Sequence, residues 1–200
     1  ALRGRLGPYQ VVADHLLSVV PQGGHPWVRD VTISNSTFGN RYVHIAAPHL
    51  GVHALGGGIG QGIAMAIGAA AGSESRTIAL VGDGGAQLGI AELITAVDAA
   101  LPITFVLMND AAYGVIENIQ DAQYDGRRHY SKLKTPDFGL LCQSIDMPHV
   151  RVGRIEDFPQ TLDATLGRDG PAVVEVDMVA IVPFAESFAG PPAGAAGGKT

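Results

Sequence analysis

Residues 77–114 read TIALVGDGGAQLGIAELITAVDAALPITFVLMNDAAYG. The stretch opens on TIALV (77–81), apolar throughout, as in a strand of a parallel sheet covered on both faces. Gly82-Asp83-Gly84-Gly85 follows at once. QLGIAELITAVDAA (87–100) then repeats apolar residues at helical spacing, with Leu88, Ala91, Ile94 and Val97 on one side, and stops before Pro102. ITFVLM (103–108) is a second buried strand, and Asn109-Asp110 stands at its carboxyl end. Strand, helix and strand of these lengths make one parallel βαβ crossover. The crossover puts Asp83 and Asp110 side by side at the sheet edge where open α/β folds bind their ligands.

Outward from this unit the same alternation continues. Residues 9–20 (YQVVADHLLSVV) have helical periodicity and are expected to end before Pro21. Residues 28–33 (VRDVTI) read as a strand, followed by the small polar cluster Ser34-Asn35-Ser36-Thr37. Residues 51–72 (GVHALGGGIGQGIAMAIGAAAG) read as a glycine-rich loop entering a small-residue helix buried all round. A helix is expected to start near Tyr113, another to span 157–167, and a last strand to span 172–176. The expected fold is α/β: a doubly wound, mainly parallel sheet with helices on both faces. One domain is expected over residues 1–189, followed by a flexible Gly/Pro/Ala tail over 190–200.

Composition narrows the function. The chain has 200 residues, 13 Lys+Arg against 19 Asp+Glu, and a formal net charge of −6, which disfavours nucleic acid and anionic membrane surfaces as partners. No apolar run reaches the roughly 20 residues of a membrane span. Asp14 and His15 interrupt the first apolar segment, so it does not read as a signal peptide. Cys142 is the single cysteine, which excludes disulfide frameworks and cysteine-held clusters and fits a reducing cytoplasm. Only 16% of residues are charged, against roughly 25% in an average domain, and 27 are glycine. A chain so composed either covers its surface with partners or brings backbone close to a ligand.

The residues at the sheet edge point to a phosphate and a divalent cation. A glycine turn between strand and helix lets backbone N–H groups approach phosphate oxygens, since no Cβ intervenes. Asp83 within that turn is a hard oxygen ligand of the kind Mg²⁺ prefers, and Asp110 adds a second. A dinucleotide reading of the glycine-rich stretch fails, because Gly56-x-Gly58 is followed by Gln61 where a third glycine is required.

Gly-Asp-Gly, a spacer of this length and an Asn-Asn-like pair together resemble the thiamin-diphosphate enzymes. The resemblance is to the carboxyl-terminal, diphosphate-binding domain of the 2-oxo acid decarboxylase, benzoylformate decarboxylase and acetolactate synthase group. Residues 57–68, 82–101 and 105–114 carry it. The resemblance implies that thiamin diphosphate and Mg²⁺ are the cofactors, with Asp83, Asp110 and the carbonyl of Ala112 as metal ligands. The family carries Asn where this chain has Asp110; a second carboxylate binds metal more strongly but adds repulsion toward the diphosphate. Gly82, Gly84 and Gly85 would meet the diphosphate, as would Ser36 and Thr37 from the segment after the first strand. Gly57 and Gly58 would flank Ile59, the apolar wedge that bends the cofactor. Tyr113 and Gly114 would follow the metal loop along the cofactor, with Val115 and Ile116 lining an apolar pocket. Pyruvate decarboxylases carry a catalytic Glu at the position of Ile116, and acetolactate synthases a Trp at that of Ile119, so the pocket looks closer to the benzoylformate decarboxylase kind. His53 matches a pocket position and is the candidate proton donor; His49 and His53 flank Gly51 with no acidic partner and do not read as a metal pair.

The resemblance further implies a 2-oxo acid as substrate and a homodimer or homotetramer. In the family, a Glu on the pyrimidine-binding domain of a neighbouring subunit activates the cofactor, and no such domain is found in these residues. The isolated chain is therefore expected to be inactive as a lyase or transferase, and FAD would enter only through a further domain. The alternatives are a stand-alone subunit of a split decarboxylase and a non-catalytic binding module.

Overall fold

The computed structural model describes residues 2–182 and 184. The tail expected over 190–200 lies outside the described residues. Six strands form one sheet in the order β2-β1-β3-β4-β6-β5, and every pairing is parallel. They are β1 (Trp27–Arg29), β2 (Gly51–His53), β3 (Thr77–Gly82), β4 (Ile103–Asn109), β5 (His149–Val152) and β6 (Ala172–Asp177). The helices are α1 (Gln10–Gln22), α2 (Gly62–Ala71), α3 (Asp83–Gly89), α4 (Leu93–Asp98), α5 (Gly114–Gln123), α6 (Phe138–Ser144) and α7 (Phe158–Leu166).

The continuous apolar strands are buried on both faces because their alternate residues feed two cores. Ile78, Leu80, Val106, Met108, Val174 and Val176 pack against α1 and α7. Ala79, Val81, Phe105, Leu107 and Val173 pack against α2, α4 and α6. Each fully buried Val, Leu, Ile or Phe contributes roughly 1.5–3 kcal/mol. Cys142 belongs to the second core; burial, with the Glu175 charge adding to it, pushes its thiol up to about 11, so it is inert packing.

The expected doubly wound α/β architecture is present, with several local corrections. The first strand stops at Arg29 instead of running through Ile33. Asp30 ends it, because its carboxylate accepts from the N–H of Val31 (2.8 Å), Gly60 (3.0 Å) and Gly62 (3.1 Å) and so bends the chain toward the glycine loop. A wide helical turn over 35–39 follows, fixed where the Trp27 indole donates to the Gly39 carbonyl at 3.2 Å. Helix α1 runs through Pro21 to Gln22, since a proline in the last turn forfeits only one backbone bond. Helix α2 is buried on one side only, through Ile63, Ala66 and Ala70, with Ala64, Gly68 and Ala71 exposed. The expected helix 87–100 is broken by a 3-10 turn at Ile90–Glu92, and Ala86, Leu93 and Ala96 face inward. Leu88 and Ile94, expected on the packed side, are 63% and 49% exposed. No helix among the described residues is long and apolar enough to cross a membrane.

The chain runs from β1 outward to β2 and then returns to β3 on the other side of β1. That reversal opens a crevice beyond the carboxyl ends of β1 and β3, the usual ligand position in such sheets.

Candidate active site

A cleft of about 410 Å³ occupies this crevice. Three chain segments that leave adjacent strands line it: 31–33 after β1, 82–85 after β3, and Asp110 with 112–116 after β4. Gly57 and Ile59 come from the glycine loop. Backbone stands close to side chain here because glycine allows it. A Cβ on Gly82 would lie 2.9 Å from Thr32 Oγ1, and one on Gly84 would lie 2.6 Å from Tyr113 Cε1. One on Gly114 would collide with Asp110 Oδ2.

Asp83 is the first residue of α3 and is 1% exposed. Its Oδ2 has no hydrogen-bond partner among the described residues. Burial, and after it the charge of Asp110, pushes the Asp83 carboxyl well above the usual carboxylate range. Burial likewise raises Asp110, although it hydrogen-bonds to Asp83 and accepts from the Ala112 N–H at 3.3 Å. A buried and a half-buried carboxylate side by side, with no cation paired to them among the described residues, are costly to ionise.

The loop after β4 presents its backbone toward this pair. Ala111 has φ of +51°, and residues 111–113 form a short antiparallel bridge with 131–133. The bridge uses the Ala111 carbonyl, which accepts from Leu133 N–H at 2.9 Å, and the Tyr113 N–H, which donates to Ser131 O at 2.7 Å. The bridge uses neither the N–H nor the carbonyl of Ala112, and that N–H donates to Asp110 Oδ1 instead. No group of three or more His, Cys, Asp or Glu side chains able to hold a metal exists among the described residues. A divalent ion at Asp83 and Asp110 would need backbone and ligand oxygens to complete its shell. The orphaned oxygen, the uncompensated pair and the available carbonyl fit Mg²⁺ carried with a diphosphate.

Of the residues picked from sequence, Gly57, Ile59, Gly82, Asp83, Gly84, Gly85, Asp110, Ala112, Tyr113, Gly114, Val115 and Ile116 line the cleft. Gly58, between Gly57 and Ile59 in the glycine loop, does not. Ser36 and Thr37 do not either. Thr37 Oγ1 donates to the carbonyls of Ile33 (2.9 Å) and Ser34 (3.1 Å), closing its own turn. Val31, Thr32 and Ile33 take the place at the cleft wall, a consequence of β1 ending at Arg29. His53 is exposed at the carboxyl end of the edge strand, its Nδ1 2.8 Å from the Ala54 carbonyl, and lies outside the lining. Glu117 is tied to Arg128 (3.0 Å) and Lys132 (3.3 Å), while Ile116 faces the cleft.

Sequence reasoning missed Asp30. It is 1% exposed, it draws the N–H groups of Gly60 and Gly62 toward the cleft wall, and a Cβ on Gly85 would sit 2.6 Å from its Oδ2. An acidic residue inside an apolar strand was the available signal.

The switch-point crevice of this α/β domain thus pairs a glycine turn with one buried and one half-buried carboxylate. Residues 32–176 match the family described as "Thiamine pyrophosphate enzyme, C-terminal TPP binding domain", and the chain belongs to that family. It is 30% identical over 145 residues to the mitochondrial acetolactate synthase catalytic subunit of Saccharomyces cerevisiae, covering 72% of this chain and 21% of that protein. It is 31% identical over 126 residues to the acetolactate synthase large subunit of Corynebacterium glutamicum, covering 60% of this chain and 20% of that protein. The fold matches a thiamine diphosphate-dependent 4-hydroxybenzoylformate decarboxylase of Rhodococcus jostii RHA1 with a TM-score of 0.72 and 24% identity, over 82% of this chain and 32% of that one. The chain thus spans about a fifth of the length of these curated relatives.

Proposed function

We propose that this chain is the part of a thiamin-diphosphate-dependent 2-oxo acid decarboxylase or carboligase that holds the cofactor's diphosphate through Mg²⁺. The observation that carries this reading is the uncompensated pair Asp83 and Asp110 beside the glycine turn. Asp83, Asp110 and the Ala112 carbonyl would hold the metal, and the N–H groups of Gly84 and Gly85 would meet the phosphate oxygens. Bound there, the cofactor would supply a thiazolium carbon nucleophilic toward a 2-oxo carbonyl. Ile59 would set the bend of the cofactor by filling the space between its rings, a positioning effect. Val115 and Ile116 would give the substrate an apolar wall that excludes water. His53, outside the cleft in this chain, would move a proton only if a neighbouring domain brought the substrate to the β2 edge.

The Glu that activates the cofactor would come from a pyrimidine-binding domain in a second subunit. Leu55 at 78%, Leu88 at 63% and Ile94 at 49% exposure supply apolar surface for such a partner. Leu88 touches the glycine loop, since a Cβ on Gly60 would lie 2.8 Å from its Cβ. The same features suit a separate subunit of a split decarboxylase. Calorimetry with thiamin diphosphate, with and without Mg²⁺, tests the reading. Binding that requires Mg²⁺ supports it; absent or metal-independent binding overturns it in favour of a non-catalytic module.

A further inference from the structure

We propose that Glu175, working through Asn109, is a positioning residue for the turn that carries Asp110 and Ala112, with His149 as its outer anchor. The inference rests on the metal-binding role proposed for that turn.

Glu175 lies in β6 and is 2% exposed, on the same sheet face as Val173 of the second core. A carboxylate there is expensive unless its oxygens are used. Both are used. Oε2 lies 2.7 Å from His149 Nε2 on β5, and Oε1 accepts from Asn109 Nδ2 at 2.7 Å on β4. The backbone ladders already join these three strands, so the side-chain bridge is not needed to pair them.

Its consequence lies in Asn109. A carboxamide can sit in either of two orientations, differing only in which end is donor and which acceptor. An ionised carboxylate accepts only, so Glu175 compels the Nδ2 end to face it. The Oδ1 end then faces the other way and accepts from the Ala111 N–H at 3.2 Å. Asn109 is 6% exposed, so solvent does not compete strongly for either end. Ala111 is the residue that needs holding. Its φ of +51° is a left-handed conformation that is strained for a residue bearing a side chain. Asp110 and Ala112 stand on either side of it. The chain of contacts therefore runs His149, Glu175, Asn109, Ala111, and ends one residue from two of the proposed metal ligands.

The test is a Mg²⁺ titration of the full natural protein containing this chain, at saturating thiamin diphosphate, followed by near-ultraviolet circular dichroism and calorimetry. Glu175→Met keeps the volume and removes both acceptors. It is expected to weaken the apparent Mg²⁺ affinity by about tenfold or more, in the range that outer partners of metal ligands contribute. Glu175→Gln keeps an oxygen for Asn109 and should recover most of that loss. Asn109→Ala combined with Glu175→Met should be no weaker than Asn109→Ala alone, because both act through one contact. A residue that only packs β6 would lower the melting temperature and leave the Mg²⁺ affinity of the folded protein unchanged; that result, or a Gln variant no better than Met, overturns the proposal. Should Glu175→Met fail to fold, His149→Gln against His149→Phe asks the same question from the outer end: equal Mg²⁺ affinities for the two sink it. A wild-type protein with no Mg²⁺-dependent binding defeats the proposed function itself, and this inference with it, whereas wild-type binding that the variants leave intact defeats this inference alone.

Discussion

Two pairs of acidic side chains stand along one sheet edge, one strand apart, and they are treated oppositely. At the end of β6, burial pushes Glu175 up, but hydrogen bonds from His149 and Asn109 and the charge of Arg151 outweigh it and hold the carboxyl below its ordinary range. Asp177 is likewise held down against burial, by the Ala180 and Val179 N–H groups and by Arg151 at 2.6 Å. At the ends of β3 and β4, burial meets no cation among the described residues, Asp83 and Asp110 are both raised, and Asp83 Oδ2 has no partner among those residues. The protein compensates its buried carboxylates where they serve structure. Where it does not, the missing charge is expected from a ligand, and perturbed groups of this kind in a crevice are a mark of function.

The sharpest way to break that contrast is to remove Asp83. Asp83→Ala deletes a proposed metal ligand, so Mg²⁺-dependent binding of thiamin diphosphate should fall by more than about a hundredfold, beyond the 10–100-fold effect of outer partners. The metal-free fold should hold, because the hydrogen bonds given up, to Asp110 and the Gly84 N–H, are offset by the removal of a buried charge. Calorimetry and thermal unfolding measure the two halves of this expectation separately. Undiminished cofactor binding would move the metal elsewhere.

A third carboxylate, Asp30, extends the comparison, since it is satisfied by backbone N–H groups alone. Asp30→Asn turns one acceptor oxygen into a donor facing N–H groups of the glycine loop or of Val31. The expected loss is about 3 kcal/mol of unfolding free energy, the upper part of the range for a buried group left unpaired. Denaturant titration checks it, and a loss under about 0.5 kcal/mol would deny Asp30 its role in bracing residues 60–62.

How far the sequence foretold these features depends on whether the deciding contact was local. TIALV and ITFVLM carry their burial in their own composition, so β3, β4 and the Gly82–Gly85 turn between sheet and helix were legible. So was the adjacency of Asp83 and Asp110, which one crossover dictates. Edge strand β5 was not. HVRV alternates apolar and polar residues over four positions, and its half-exposed burial records a place at the rim. The packed side of α3 and α4 was misread because Gly89 and the turn after it rotate the helix, and small Ala86 and Ala96 sit inside while Leu88 lies out. Asp30 and Glu175 were visible as acids, but all their hydrogen-bond partners except Val31 lie 26 to 66 residues away in the chain, and those partners are what distinguish a brace from a ligand-seeking group.

Titration probes the raised pair directly. A carboxyl whose folded-state pKa lies above its unfolded value binds more protons folded than unfolded. Its contribution is therefore fully present below the unfolded pKa, near 3.9 for Asp, and is lost as pH rises through the raised value. The metal-free protein should lose on the order of 2 kcal/mol between pH 5 and pH 8 from this pair, one shared proton accounting for it. Mg²⁺ with thiamin diphosphate should flatten that slope by supplying the charge. Denaturation at several pH values, with and without the ligands, measures both. A metal-free protein equally stable at pH 5 and pH 8 would mean the pair is better compensated than its surroundings indicate.

The smallest effect is the most discriminating, because it changes charge at nearly constant shape. Asp110→Asn leaves Asp83 without a like charge beside it, and an amide nitrogen in place of one oxygen can donate to the Asp83 carboxylate. The metal-free protein should gain about 1 kcal/mol at pH 8, the size of one neutral-to-charged hydrogen-bond improvement, and gain little at pH 5, where the shared proton already relieves the repulsion. The pH slope of the wild type should shrink accordingly. An amide oxygen still binds Mg²⁺, though less strongly than a carboxylate, so cofactor affinity should fall by far less than for Asp83→Ala. Gain without metal and modest loss with it are a combination that simple disruption of the turn cannot produce. Loss in both conditions would show instead that Asp110 holds the Ala112 N–H as structure, and would place it with Glu175 and Asp177 on the compensated side of the sheet edge.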